Sequence, residues 1–345
     1  APASVASLAA AAAMPPEAMA RLLDAAEALE LVRRIDAPSA ARAPAASART
    51  DAPNDALHDA PHDTPHDTPH GAPHDTPHGA PHYAPGRLGG TFVANPALEA
   101  LVLHHGALYA DLAEPLALLR GGRGGGRLAQ LWAYAGAAQP GALPAGQVAP
   151  YSAVMSASQA LVARQVLDAW PFARHRRVLD VGGGEGAFLA AVLAEVPALE
   201  GALCDLPAVA GRAGVRLATQ GFGARVRVHG IDFRRDPLPR GADLATLVRV
   251  LYDHDDAPAL ALLRSVRAAL PPGGTVLVAE PMAGTPGAER MGAAYFGLYL
   301  WAMGSGRARR ADEHAALLRE AGFVRVRRRR TALPLQAGVV VGQVP

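Results

Sequence analysis

From Arg177 onward, short apolar runs alternate with longer amphipathic stretches. Val178–Val181, Ala202–Asp205, Val226–Ile231, Leu244–Val250 and Thr275–Ala279 are apolar runs too short for helices, and each predicts a buried strand. Between and after them, residues 187–196, 207–219, 257–270 and 312–321 place apolar positions at helical spacing. Such alternation predicts a mostly parallel sheet in an α/β domain. The last two apolar stretches, Val324–Leu333 and Gly338–Val344, are joined by a short turn and predict a closing hairpin. Before Arg177 the pattern is helical. Residues 1–13 read as the end of a helix. Pro15 and Pro16 suit a helix start, and Leu22, Leu23, Ala26, Leu29 and Val32 form one face through Val32. Further helices are expected over Ala97–Arg120, bent at Pro115, over Leu128–Ala138 and over Ser152–Trp170. The expected division is a helical domain over 1–150 and an α/β domain over 151–345.

One tract interrupts the helical part. His58, His62, His66, His70, His74, His78 and His82 recur every four residues, and all but the first follow a proline. Four-residue spacing stacks side chains on a helix face, but a proline in every turn forbids the helix. The region from about 37 to 87 therefore reads as a disordered, polyproline-like insertion, with adventitious zinc or nickel binding as the sharper reading and no catalytic role in either case.

Composition narrows the class. All 33 basic residues are arginine, and Ala, Gly and Pro are abundant, a codon bias before it is a function. A net charge of +2 is too small to argue for nucleic acid. Cys204 is the single cysteine and sits in a strand pattern, so no intramolecular disulfide forms, which suits a reducing cytoplasm. No apolar run reaches the ~18 residues of a membrane span. No signal peptide is recognisable, and a start at Ala1 without Met leaves room for a preceding segment.

The candidate chemistry centres on Arg177–Ala187, where a strand pattern runs into four glycines within five residues (Gly182, Gly183, Gly184 and Gly186) and then a helix. Strand, glycine turn and helix bring backbone N–H groups beside a ligand. Gly182-x-Gly184-x-x-Ala187 satisfies a loose dinucleotide pattern, with Asp205 where a ribose-binding acid belongs. Two acids shift the reading. Asp180 and Glu185 would repel a diphosphate but favour the sulfonium and ammonium of S-adenosylmethionine (SAM). Asp205, beside Leu206, and Asp232, beside Phe233, close the next two strands, at the sheet edge where such ligands bind. There a carboxylate can hold ribose hydroxyls or an adenine amine, and the ring can lie on the base. No metal is expected.

Leu179-Asp-Val-Gly-Gly-Gly, Asp205-Leu-Pro, Asp232-Phe233, Arg249-Val-Leu-Tyr-Asp-His-Asp-Asp256, Pro271-Pro-Gly-Gly and Glu280-Pro resemble small-molecule O-methyltransferases related to acetylserotonin O-methyltransferase. Tyr151-Ser-x-x-Met155-x-x-Ser-Gln159, Gly184-Glu-Gly-Ala-Phe188, Leu251-Tyr-Asp-His254, Leu300-Trp-Ala-Met-Gly-Ser-Gly306 and His104-His-x-x-Leu-Tyr-Ala-Asp-Leu are most similar to the hydroxyneurosporene/demethylspheroidene O-methyltransferase branch, which methylates acyclic carotenoids. The resemblance implies a class I SAM-methyltransferase sheet, Rossmann-like, with an antiparallel C-terminal hairpin. It also implies a winged-helix-like N-terminal domain that makes a homodimer, the histidine tract then being an expanded wing loop. It places cofactor contacts at the glycine turn, Asp180, Glu185, Asp205, Leu206, Asp232, Phe233, Arg249 and Met155.

The family's catalytic histidine falls at Tyr252, and its following Asp and Trp fall at Asp253 and His254. One buttressing glutamate is kept as Glu280; the other aligns near Ala308. The expectation is therefore His254 as base, with Tyr252, Asp253 or Glu280 positioning it or the substrate; catalysis by positioning alone is the alternative. Met291–Met303, rich in Tyr, Phe, Leu and Trp, is expected to wall a long apolar pocket. An aromatic or polyketide acceptor, a SAM-binding homologue without methylating activity and a winged-helix DNA-binding regulator are the other readings. The arginines at 325 and 327–330 read as a charge-protected edge strand, with weak docking of a cytoplasmic protein on anionic lipid as the alternative.

Overall fold

The computed structural model of the chain describes residues 2–35, 81–132 and 145–345. It forms two compact units, divided between Asn95 and Pro96, whereas the apolar pattern suggested a boundary at 150/151.

In the first unit, β1 (Ala3–Ser4), α1 (Val5–Ala11), α2 (Pro16–Ala28), β2 (Val32–Ile35) and β3 (His82–Pro85) follow in order. The strands make an antiparallel sheet with β3 central, flanked by β1 and β2. Pro16 opens α2 and Glu17 sits in its first turn, a favourable start. The α2 face ends earlier than its spacing suggested. Glu30 takes a left-handed φ of 58°, the chain turns, and Val32 pairs with Pro85 instead of extending the helix. Ala9, Met19, Leu23 and Tyr83 form a small core. The insertion read as disordered from about 37 to 87 includes a strand at its end, since Ile35 pairs with His82 and Val32 with Pro85 across β2 and β3. The other histidines of the tract lie outside the described residues.

The second unit begins with α3 (Pro96–Asp111), α4 (Pro115–Arg120), α5 (Arg127–Leu131) and α6 (Ala145–Ala169). The single bent helix expected over Ala97–Arg120 is two helices, because Pro115 starts a new one. Then come β4 (Arg177–Val181), α7 (Ala187–Glu195), β5 (Glu200–Asp205), α8 (Pro207–Thr219), β6 (Val226–Gly230), β7 (Leu244–Val248), α9 (Asp256–Ala269), β8 (Thr275–Glu280), α10 (Phe296–Met303), α11 (Ala311–Glu320), β9 (Val324–Arg329) and β10 (Gly338–Gln343). Seven strands make one sheet in the order β6-β5-β4-β7-β8-β10-β9. The pairs from β6 to β8 are parallel, and β10 runs antiparallel to both β8 and β9. The expected α/β sheet with a C-terminal antiparallel hairpin is present.

Alternation along each strand feeds two cores. Leu179 and Val181 join Ala245, Leu247, Val276 and Val278 on one face, with α9 and α11. Val178 joins Leu203, Leu244, Val248 and Leu277 on the other, with α6 and α7. Burial on both faces is why β7 and β8 read as continuous apolar runs rather than alternating ones. The edge strand β9 is mostly exposed arginine, which blunts edge-to-edge pairing. A third cluster joins Leu108, Leu118, Leu128 and Trp132 to Tyr252, Tyr299, Leu300 and Met303, and it brings α3–α5 into this unit.

Candidate functional site

Where the parallel strands diverge on either side of β4, their C-terminal ends open a crevice. The β4–α7–β5 crossover puts β5 on one flank of β4, and β7 lies on the other, which is where open α/β sheets bind ligands. Gly182, Gly184 and Gly186 carry φ of 67°, 58° and 78°, a region L-residues seldom adopt. Gly183 is demanded by proximity instead: a Cβ there would lie 2.5 Å from the Asp180 carboxylate and 2.8 Å from Leu203. The turn is held from across the sheet, since Gly182 N–H donates to the Cys204 carbonyl at 2.8 Å.

Asp180, Gly182, Gly183, Gly184, Glu185, Asp205, Leu206, Asp232, Phe233, Arg249, Asp253, His254 and Met155 line the crevice. Asp205 accepts from the N–H groups of Gly184 (2.8 Å) and Leu206 (2.7 Å), so its orientation is set by the turn. Burial still pushes its pKa up to about 6 against the pull of those amides. Asp180 accepts from the Thr246 hydroxyl at 2.7 Å; its other oxygen is buried without a partner among the described residues, and burial pushes its pKa up to about 7. Asp253 likewise presents a buried, unpartnered oxygen and is held well above the usual carboxylate range by burial and by Glu280.

The arginines beside the crevice are already engaged. Arg212 pairs with Glu185 at 2.9 Å, so Glu185 contributes less free negative charge than its place in the turn suggests. Arg234 pairs with Asp232 at 3.2 Å. Arg249 donates to Ser158 (2.8 Å), to the Met155 carbonyl (2.8 Å) and to Gln159. Its backbone has a left-handed φ of 57°, strain that such anchoring sustains at functional sites. Arg249 thus secures α6 to the β7 end rather than reaching for an anion. A crevice with unengaged carboxylates and committed guanidiniums suits a polar cation better than a diphosphate.

The four residues named for catalysis part company. His254 lines the crevice, its ring edge-on to Phe233 at 5.7 Å. Burial, then Arg234 and Arg309, lower its pKa to about 4, so it is neutral. Tyr252 turns away into the aromatic cluster and packs on Phe296. Glu280 is fully buried behind the crevice. It accepts from the N–H groups of Val250 (3.0 Å) and Leu251 (2.8 Å), holding the turn that carries Tyr252 and Asp253. Only Asp253 and His254 of the four reach the crevice. Gly186 shapes the turn and does not line it: a Cβ there would meet Leu217 at 2.9 Å.

Arg309 went unnoticed in the sequence. It is fully buried and donates to the carbonyls of Leu251 (2.8 Å) and His254 (2.7 Å) while pairing with Asp256 (2.7 Å). It therefore holds the 251–254 turn by its carbonyls, as Glu280 holds it by the N–H groups of Val250 and Leu251. An arginine among arginines (307, 309, 310) carries no sequence signal of such a role. Ser152 and Ser305, inside quoted motifs, and Trp132 and Ser156, outside them, also line the crevice although none was singled out as a site residue. Among the described residues no His, Cys, Asp or Glu group is arranged to hold a metal ion.

Residues 142–324 match the family model of the O-methyltransferase domain. Demethylspheroidene O-methyltransferase of Cereibacter sphaeroides is 47% identical over 239 residues, 69% of this chain and 62% of that protein. The enzyme of the same name from Rhodobacter capsulatus is 42% identical over 254 residues, 73% of this chain and 62% of that protein. The chain thus spans about three-fifths of the length of these curated relatives. Its fold matches the crystal structure of human N-acetylserotonin methyltransferase in complex with SAM, with a TM-score of 0.71 at 20% identity, over 99% of this chain and 87% of that one. The chain belongs to the O-methyltransferase domain family.

Proposed function

We propose that this chain binds SAM in the crevice over Gly182–Gly186 and catalyses transfer of its methyl group to the hydroxyl of an apolar small molecule, an acyclic hydroxylated carotenoid. The observation that carries the cofactor reading is the turn itself. Asp205, oriented by the Gly184 and Leu206 amides, is placed to accept from ribose hydroxyls. Asp180, with its unpartnered oxygen, and Asp253, both raised by burial, would be drawn to their charged forms by a bound ammonium and sulfonium. Phe233 and His254 form a wall for the adenine. In this reading His254 serves the cofactor rather than the proton transfer. When bound, SAM supplies an electrophilic methyl group. The protein's part is to hold the two reactants in line and to keep water out.

The carotenoid acceptor is supported by the two relatives reported above; Met291–Met303, expected to wall the pocket, does not line the crevice but buries Tyr299, Leu300 and Met303 in the adjoining cluster. Self-association is supported by Val102, Leu103, Tyr109 and Leu116, apolar side chains exposed on α3 and α4. A cytoplasmic location with contact at a membrane surface fits an acceptor dissolved in lipid; no described helix is long and apolar enough to cross a membrane. Calorimetry with SAM and with NAD tests the cofactor, and SAM-dependent assays on a 1-hydroxy carotenoid and on a phenol panel test the acceptor. Binding of SAM and methylation of the carotenoid are expected. Binding of NAD without SAM refutes the first reading, and methylation of phenols alone refutes the second.

A further inference from the structure

An aromatic and histidine cluster adjoins the crevice. His104 on α3 and Tyr299 on α10 are both buried, and the His104 Nε2 lies 2.6 Å from the Tyr299 hydroxyl. Leu108, Trp132, Tyr252 and Phe296 pack around them, and a second hydrogen-bonded pair, His105 and Tyr295, lies alongside with ring centroids 5.8 Å from His104 and 6.0 Å from Tyr299 respectively. A buried polar pair joining two helices that are 195 residues apart in sequence is costly to assemble, and apolar packing alone would bridge the helices as well. The cluster is continuous with the crevice. Trp132 and Met155 belong to both, and Tyr252, in the cluster, directly precedes Asp253, in the crevice wall.

We propose that Tyr299 and His104 form the proton path for the acceptor hydroxyl, with Tyr299 touching the hydroxyl and His104 acting through it. The inference rests on the methyl-transfer reading above and adds the residues that take the proton. With neutral His104 accepting at Nε2, the Tyr299 hydroxyl donates to it and leaves its own oxygen free to accept the O–H of the acceptor. As the new C–O bond forms, the bond between methyl carbon and sulfur breaks and its electron pair stays on sulfur, which loses its positive charge. The acceptor's proton passes to the Tyr299 oxygen while the Tyr299 proton passes to Nε2 of His104, where the positive charge ends. Burial, with His105 adding to it, lowers the pKa of His104 to about 4. So weak a base does not ionise an aliphatic alcohol beforehand. It takes a proton that the forming C–O bond has already made acidic, and it gives that proton up readily once product leaves. This path also accounts for Tyr252 at the position where relatives carry histidine: the base sits one layer further back, on α3.

The test uses the full chain with Tyr299→Phe and His104→Gln. Three readouts are taken: SAM affinity by calorimetry, thermal midpoint, and the single-turnover rate of methyl transfer to a 1-hydroxy carotenoid. Imidazole ¹⁵N spectra of the free protein, with His104 assigned by its loss in His104→Gln, report the tautomer without any turnover. The parent should show one neutral His104 tautomer protonated at Nδ1, and Tyr299→Phe should mix the tautomers. Both variants should bind SAM as the parent does and transfer methyl about 10²–10⁴-fold more slowly, the span of general-base contributions. Variants that bind SAM normally and react within about threefold of an active parent overturn the proton path alone. A parent that binds SAM but methylates neither carotenoid nor phenol overturns the methyl-transfer reading, and the proton path with it.

Discussion

Glu280 offers the sharpest test of how the 250–254 turn is held. Its side chain is fully buried; one oxygen takes two backbone N–H groups and the other has no partner among the described residues. Burial outweighs the amides and raises its pKa from an ordinary 4.5 to about 8. At neutral pH the folded chain therefore keeps this proton while the unfolded chain releases it. The folded state binds the extra proton between about pH 4.5 and pH 8, so stability from this group is present below the lower value and is lost as pH rises through the upper one. At about 1.4 kcal/mol for each pH unit, the full span is worth on the order of 2–5 kcal/mol. Glu280→Gln preserves the shape and the acceptor oxygen but cannot ionise. Its stability relative to the parent should be near zero difference at pH 5 and should grow in the variant's favour by pH 8.5. For a unit of this size, that corresponds to roughly 5–15 °C in the difference of melting temperatures. Taking the difference cancels the titrations of Asp180 and Asp205, which occur in both proteins. Differential scanning calorimetry across this pH range is the assay. Melting curves that stay parallel at every pH would mean that Glu280 is charged in the fold, and the reading of it as a neutral clamp would fail.

Two further perturbations probe the crevice and its support. Asp205→Ala strands the Gly184 and Leu206 amides and removes the ribose acceptor, so SAM affinity measured by calorimetry should fall by about 1.5–3 kcal/mol; an unchanged affinity places the ribose elsewhere. Arg309→Met leaves the Leu251 and His254 carbonyls without their donor, while half-exposed Asp256 keeps Arg307 at 3.0 Å, so the expected loss is about 1–3 kcal/mol, read as a lowered urea midpoint; a midpoint equal to the parent's would show that Glu280 alone holds the turn.

Much of this molecule was legible along the chain. Strands buried on both faces are uniform apolar runs whatever they pack against, so β4, β5, β7 and β8 appear to within about two residues. The glycine turn is also local, because positive φ and a Cβ-free approach to Asp180 are demands on single positions. Asp205 and Asp232 were found for the same reason: strand ends in a parallel sheet share one edge. What the chain could not disclose depends on direction and partnership. Tyr252, Asp253 and His254 are consecutive, yet the turn held by Glu280 and Arg309 sends the first into an aromatic core and the other two to the crevice. Glu185 and Asp232 look like free acids in sequence and are paired with arginines in the fold. The end of α2 at Ala28 is decided by Val32 pairing with Pro85, a contact across 53 residues that helical periodicity cannot register. His104 and Tyr299 meet only because α3 and α10 pack around one cluster. Periodicity and backbone conformation are properties of neighbours in sequence, whereas charge pairing, side-chain direction and proton paths belong to neighbours in space.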